Sequence, residues 1–120
     1  MKKLLLPLLL LAAGCQRDSD ITPSASMAED ELEVETQGRN SDCGVAQVLA
    51  KDPARVAQVI GTSTFAPVYL ALQLDTALWV RKNRTLYVRI RKPINSEYVV
   101  CTARGPGYQP FVVISARVKP

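Results

Sequence analysis

Apolar and polar residues alternate over most of the second half of the chain, which is typical of half-buried β-strands. In residues 84–92 the alternation places Leu86, Val88 and Ile90 on one face. Residues 97–103 would bring Val99 and Cys101 together in the same way. Two further faces are expected, one formed by Val68, Leu70, Leu72 and Leu74 and the other by Val112, Ile114, Ala116 and Val118. These patterns predict a small antiparallel sheet.

The period of the pattern is different before Gly61. Apolar residues recur at helical spacing in two short stretches, 45–49 and 56–60. Asp52-Pro53 precedes the second stretch and is typical of an N-cap followed by a first-turn proline, and Gly61 suits the end of a helix. We expect two short helical turns here, with a strand over residues 55–66 as the competing interpretation.

The two patterns together define the expected fold class. It is mainly β with a short N-terminal helical segment, either as a small antiparallel sheet or as a partly open, OB-like barrel. The OB-like interpretation follows from strand count and size. The single tryptophan, Trp79, is expected in the core.

The first fifteen residues have a separate pattern. Two lysines precede an apolar run over residues 4–11, and small residues follow it, as in a signal peptide. The run is too short to span a membrane, which takes about 20 apolar residues. Ala12-Ala13-Gly14-Cys15 resembles the lipobox of bacterial lipoproteins, in which the cysteine becomes the first mature residue and carries acyl chains. The resemblance implies cleavage after Gly14, lipidation of Cys15 and attachment to a membrane, and Gln16 resembles the outer-membrane class.

Charge divides the remaining chain into two parts. Residues 16–42 hold eight Asp and Glu against two Arg, whereas residues 43–120 hold eleven Lys and Arg against three acids, a balance of −6 against +8. The acidic part has few bulky apolar residues, so it is expected to stay disordered. We therefore expect a signal peptide at 1–14, a lipidated cysteine with a disordered acidic tether at 15–42 and a globular β-rich domain at 43–120. Either the tether is acidic for solubility, or it folds back on the basic domain and competes with an anionic partner.

Two cysteines remain after Cys15, and an exported location permits their oxidation. We expect a disulfide between Cys43 and Cys101, with two free thiols as the alternative. Such a bond is useful in a domain of about 78 residues, which buries little more than about 60% of its unfolded surface.

The side-chain inventory argues against catalysis and metal binding. The chain contains no histidine, which is the commonest general base and the commonest metal ligand. Two cysteines without histidine do not make a zinc site. Asp52 is expected to cap a helix, which leaves Asp75 and Glu97 as the remaining carboxylates of the domain. We therefore expect no enzyme, no metal and no cofactor.

The run RKNRTLYVRIRK at residues 81–92 is the candidate binding surface. If its apolar residues face inward, the polar residues and one aromatic face outward, namely Arg81, Lys82, Arg84, Tyr87, Arg89 and Arg91. One interpretation is a solvated strand face; the other is an anion-binding strip for anionic lipid or envelope polysaccharide. Nucleic acid is not expected, because single-strand binders stack bases on several aromatic rings.

The sequence thus predicts an envelope lipoprotein that works as a tethered binding or structural module. The alternative is an inhibitor lipoprotein acting on an envelope-targeting hydrolase, similar in size and disulfide use to the small barrels that block lysozymes. A domain of +8 would repel a basic lysozyme, which disfavours the alternative.

Overall fold

The computed structural model describes residues 26–63, 66–102 and 107–120. Five strands close into a barrel in the order β1-β2-β3-β5-β4. The pair β3–β5 is parallel and the other pairs are antiparallel. The strands are β1 (Leu32–Arg39), β2 (Ala46–Ala50), β3 (Val68–Leu72), β4 (Thr85–Arg91) and β5 (Gln109–Val118). The expected mainly β fold is confirmed, while the sheet is closed and contains one parallel pair.

Strand β1 corrects the expected domain boundary. Residues 15–42 were predicted to be a disordered tether, yet β1 pairs with both β2 and β4. Its residues alternate: Leu32, Val34 and Thr36 are buried in the barrel, while Glu33 and Glu35 face outward. The prediction of disorder is wrong for residues 32–39. Two apolar residues and a threonine at alternate positions are enough to form a strand that pairs with a strand on each side. Residues 15–25 lie outside the described part of the chain.

The second predicted helix is confirmed as α1 (Pro53–Ile60). Asp52 caps its start, accepting the Arg55 backbone N–H on Oδ1 at 3.2 Å, and Gly61 ends it with a left-handed φ of 74°. The competing strand over residues 55–66 is therefore wrong where the helix stands. Because β1 and β2 precede it, α1 lies between β2 and β3 and not at the start of the domain.

The first predicted helical turn, over residues 45–49, is wrong. That stretch belongs to β2, where Ala46, Val48 and Ala50 face the core and alternate with Gln47 and Leu49. Two short turns occur elsewhere: α2 (Thr76–Trp79), which brings Trp79 into the core as expected, and a 3₁₀ turn at Asn95–Glu97.

Strand β3 is buried on both faces, and the predicted shared face is divided: Leu70 and Leu72 lie on the outer side, while Leu74, beyond the end of the strand, packs in the core. Tyr69 and Ala71 point into the barrel, whereas Leu70 and Leu72 pack outside with Val112. Partly buried residues cover this outer cluster, namely Cys43, Val45, Val99 and Tyr108. The connection from β4 to β5 therefore runs over the outside of β3, which makes the alternation of apolar residues a poor guide to the face here.

In β5 the predicted face is also wrong. Phe111 and Val113 point into the core, whereas Ile114 is 61% exposed. Ile90 pairs with Val113 and Arg89 pairs with Ser115, so Ile114 is an extra residue in the ladder. A β-bulge of this kind moves the following side chains to the opposite face. Ala116 then packs against the core, and Val118 is exposed.

The remaining predictions concern β4 and the cysteines. Leu86, Val88 and Ile90 face the core as expected. The strand expected from residue 97 onward is absent from the described residues 97–102. The Cys43–Cys101 disulfide is present between residues 58 positions apart in the chain, with Cα atoms 4.3 Å apart. It joins the β1–β2 loop (residues 40–45) to the β4–β5 connection.

Candidate anion-binding site

Half of the predicted basic strip is neutralised or covered. Arg91 donates two hydrogen bonds to Glu97, at 2.8 and 2.7 Å. Arg89 donates to Asp30 at 2.7 Å and lies 3.8 Å from Glu31. These pairs lower the pKa of Asp30 below its usual value and that of Glu97 to about 2, mainly through the hydrogen bonds from the guanidinium groups. Two of the six predicted residues therefore already hold carboxylates.

Tyr87 is covered by Arg117, a residue outside the predicted strip. The Arg117 guanidinium carbon lies 5.0 Å from the centre of the Tyr87 ring, and the tyrosine is only 5% exposed. Arg117 also donates to both carboxylate oxygens of Glu31, at 2.9 and 2.8 Å. Glu31 is 2% exposed, and the hydrogen bonds from Arg117 outweigh burial and lower its pKa to about 2.

Residues 26–31, which we name the strap, are held against the barrel by three arginines. Arg89 and Arg117 bind its acidic side chains, and the Arg55 guanidinium donates to the backbone oxygens of Glu29 and Glu31. The acidic residues directly before β1 therefore contact basic residues of the barrel, while competition with an anionic partner, the second half of that interpretation of the tether, stays a prediction. These contacts belong to the strap. The residues that precede the strap lie outside the described ranges.

The strap and β1 change the charge of the barrel. The described residues hold eleven Lys and Arg against nine Asp and Glu, a balance of +2. The +8 counted for residues 43–120 therefore does not describe the barrel: the strap and β1 add five acids and Arg39, the loop after β1 adds Asp42, and Arg104 lies outside the described residues. The bulk charge of the barrel gives little attraction to anions, so a binding site has to be a local cluster.

Such a cluster lies at the end of the barrel where β1 ends and β4 begins. It contains Arg39, Arg81, Lys82 and Arg84, which we name the basic rim. In the described part of the chain, no carboxylate lies within 4.0 Å of any of these four cations. The rim keeps three of the six predicted strip residues and adds Arg39.

Thr36 fixes the backbone of two of the rim residues, Arg81 and Arg84. Its buried hydroxyl donates to the backbone oxygen of Arg81 at 2.6 Å and accepts the backbone N–H of Arg84 at 2.9 Å. Its carbonyl accepts the N–H of Asn83 at 2.6 Å, and Asn83 adopts a left-handed φ of 62°. The turn over residues 81–84 is therefore fixed to the interior of β1.

The other contacts of the rim leave donors available. Arg39 lies over the Trp79 ring at 5.4 Å and donates to the backbone oxygen of Gly44 at 2.7 Å. Arg84 donates to the backbone oxygen of Ala77 at 3.2 Å. A guanidinium group has five N–H donors, so one carbonyl partner does not saturate it.

Gly38 leaves room for the side chain of Lys82 at the end of β1. The side chain of Lys82 runs over this glycine, and a Cβ at position 38 would lie 3.2 Å from the lysine Cε. Gly38 also has a positive φ of 87°, which other residues rarely adopt. The close approach places the Lys82 stem next to the end of β1.

Sequence reasoning missed Arg39 because it assigned residues 15–42 to the tether. The signal that could have found it is the alternation of Leu32, Val34 and Thr36, which ends at Gly38-Arg39. Reading that alternation as a strand would have placed Arg39 at a strand end, where a loop residue can meet a ligand.

The three acids that sequence analysis assigned to the domain have structural partners. Asp52 caps α1, Asp75 caps α2 by accepting the Ala77 N–H at 3.0 Å, and Glu97 holds Arg91.

A cluster of Asp42, Cys43 and Cys101 has atoms close enough for a metal ion, but its two sulfur atoms are bonded to each other. Two open grooves, of about 400 and 420 Å³, flank the strap and share Leu32 and Arg55.

No protein-family model, curated protein or solved structure matches the chain. In the part of the chain that the structure describes, no helix has the length and apolar character needed to cross a membrane.

Proposed function

We propose that the chain is a non-catalytic binding module of a bacterial cell envelope, and that an anionic envelope component binds at the basic rim. The observation that carries the proposal is the contrast between two groups of cations. Arg89, Arg91 and Arg117 each hold a carboxylate. The four rim residues are fixed by backbone and ring contacts and have no described carboxylate within 4.0 Å.

The rim has the chemistry of an anion site. Guanidinium groups bind phosphate and carboxylate groups with paired hydrogen bonds, and an ammonium group adds a mobile point charge. Arg39 is held in place by Trp79 and the Gly44 carbonyl, so it loses little conformational freedom when a ligand binds. This preorganisation favours anionic lipid headgroups or an acidic polysaccharide as the ligand class.

The proposal includes a lipid anchor and an OB-like fold. The lipobox resemblance supports acylation of Cys15 and residence at the outer membrane, and two or more acyl chains hold a protein stably on a bilayer. The OB-like interpretation is supported by five strands in which β1 also pairs with β4. In OB barrels the loop between the first two strands and the loop between the last two contact ligands. Here the Cys43–Cys101 disulfide joins those loops.

A charge-matched pair of variants tests the rim. The rim variant carries both Arg81→Gln and Lys82→Gln, which removes two charges from the rim. The control variant carries both Lys51→Gln and Lys119→Gln, which removes two charges that lie beside Glu33. The full chain, purified from membranes in non-ionic detergent, is bound to immobilised heparin. Each cation near an anionic surface contributes about 1 kcal/mol, so the rim variant should bind about 30-fold more weakly.

The control variant should stay within about twofold of the unaltered chain, since its lysines already have a carboxylate partner. Equal losses in both variants would show that only bulk charge matters and would contradict the proposed site. The intact mass of the same preparation tests the anchor: it should begin at Cys15 and include acyl groups, and an attached leader or a free thiol at that residue would contradict it.

A further inference from the structure

The end of the barrel that carries the basic rim also exposes apolar side chains. Val80 directly precedes Arg81 and is 64% exposed. Val100 is 94% exposed and directly precedes Cys101. Single exposed apolar residues are common on soluble proteins, so their position next to the cations is the informative part.

Both valines are linked to the rim through the contacts of their chain neighbours. Cys101 is bonded to Cys43 in the β1–β2 loop, and Gly44 of that loop accepts a hydrogen bond from Arg39. Val80 directly follows α2, whose Trp79 lies under the Arg39 guanidinium. One end of the barrel therefore combines four cations with two exposed apolar side chains.

Cations next to exposed apolar side chains suit a membrane surface better than a soluble polyanion. A polysaccharide offers charge and hydroxyl groups but little that would favour valine side chains. The interfacial layer of a bilayer accepts both, because lysine and arginine meet anionic headgroups while apolar side chains enter the boundary with the acyl chains.

The length of chain before the strap places this end within reach of the bilayer. The Ser26 carbonyl accepts a hydrogen bond from Arg117 at 3.0 Å, so the chain is fixed to the barrel at that residue. Cys15 stands 11 positions earlier, which spans at most about 40 Å. A seven-residue strand such as β4 is about 23 Å long. A lipid on Cys15 and the rim can therefore reach the same membrane.

We propose that the basic rim, with Val80 and Val100, lies against the headgroup layer of the membrane that holds the lipid anchor, and that anionic lipid is its ligand. This inference rests on the proposed function, since it names the ligand of that site. It makes the protein doubly attached: the acyl chains hold it on the bilayer, and the rim orients the barrel on the surface.

The single tryptophan makes the orientation measurable without a label. Trp79 is adjacent to Val80 and lies beneath Arg39. The full acylated chain is inserted into vesicles that contain brominated lipids, which quench tryptophan at short range. With anionic vesicles we expect about a twofold loss of Trp79 emission, as for a group at the headgroup boundary. Zwitterionic vesicles, in which the anchor inserts equally, should quench much less.

Matched variants separate the two proposals. Val80→Ser should reduce quenching, whereas Ile114→Ser, which alters an equally exposed apolar residue on β5, should not. If Trp79 stays unquenched in anionic vesicles while the chain still binds heparin through the rim, the membrane inference is overturned and an acidic polysaccharide becomes the ligand. If heparin binding does not depend on the rim, the proposed function itself is overturned.

Discussion

At the scale of residues, the neighbours of an arginine decide whether it is available to a ligand. Arg91 and Arg84 stand in the same basic run, yet Arg91 holds Glu97 with two hydrogen bonds, whereas the Arg84 guanidinium donates to a backbone carbonyl and has no carboxylate partner among the described residues. Arg89 is satisfied by Asp30, 59 positions away in the chain. A satisfied arginine stabilises the fold, whereas an unsatisfied one on a fixed backbone is free to bind an anion.

The buried carboxylate of Glu31 gives a prediction about stability. Glu31→Gln keeps the shape but removes the charge that Arg117 and Arg89 face. Hydrogen bonds to charged groups contribute about 1.5–3 kcal/mol, so the free energy of unfolding should fall by about that amount. Urea denaturation of both forms measures it. The matched control Glu33→Gln should lose no more than about 0.5 kcal/mol, because its partners are exposed lysines.

The same residue should govern acid unfolding. Because Arg117 lowers the pKa of Glu31 from 4.5 to about 2, its contribution is complete above 4.5 and is lost as the pH falls toward 2. The difference in unfolding free energy between the unaltered chain and Glu31→Gln should therefore shrink over that interval. A difference that stays constant from pH 6 to about 2 would contradict the ion pair.

At the scale of elements, local signals were sufficient for α1 and β4 and insufficient for the other four strands, of which β2 was predicted as a helical turn. The helix carries its own cap, proline and terminal glycine within ten residues, so sequence predicted it correctly. The faces of β3 and β5 depend on a covering loop and on a bulge at Ile114, which are not local to the alternation. Strand β1 was missed because its charged outer face dominated its composition.

The cap of α1 offers a test at this scale. Asp52→Ala removes the side-chain oxygen that accepts the Arg55 N–H, and losing such a cap costs about 1 kcal/mol. Asp52→Asn retains an oxygen in the same place and should cost only a few tenths of a kcal/mol. Thermal or urea unfolding measures both variants. Equal losses would mean that the charge of Asp52, and not its cap, stabilises the barrel.

At the scale of the whole molecule, the closed barrel determines both the net charge and which cations form the candidate site. With the strap and β1 in the fold, the net charge of the described residues is only +2. The lower net charge also weakens the repulsion that disfavoured an inhibitor of a basic hydrolase. Sequence predicted Arg81, Lys82 and Arg84 in a basic run, but the participation of Arg39 and the loss of Arg89 and Arg91 are consequences of tertiary pairing.

The central claim is that the basic rim, and not the remainder of the basic run, binds anions. Side-chain NMR of the full chain in micelles, titrated with a short heparin oligosaccharide, tests it directly because each arginine Nε–H gives its own signal. We predict that the signals of Arg39, Arg81 and Arg84 shift on titration while those of Arg89 and Arg91 stay in place. Shifts confined to Arg89 and Arg91, with the rim unchanged, would contradict the account.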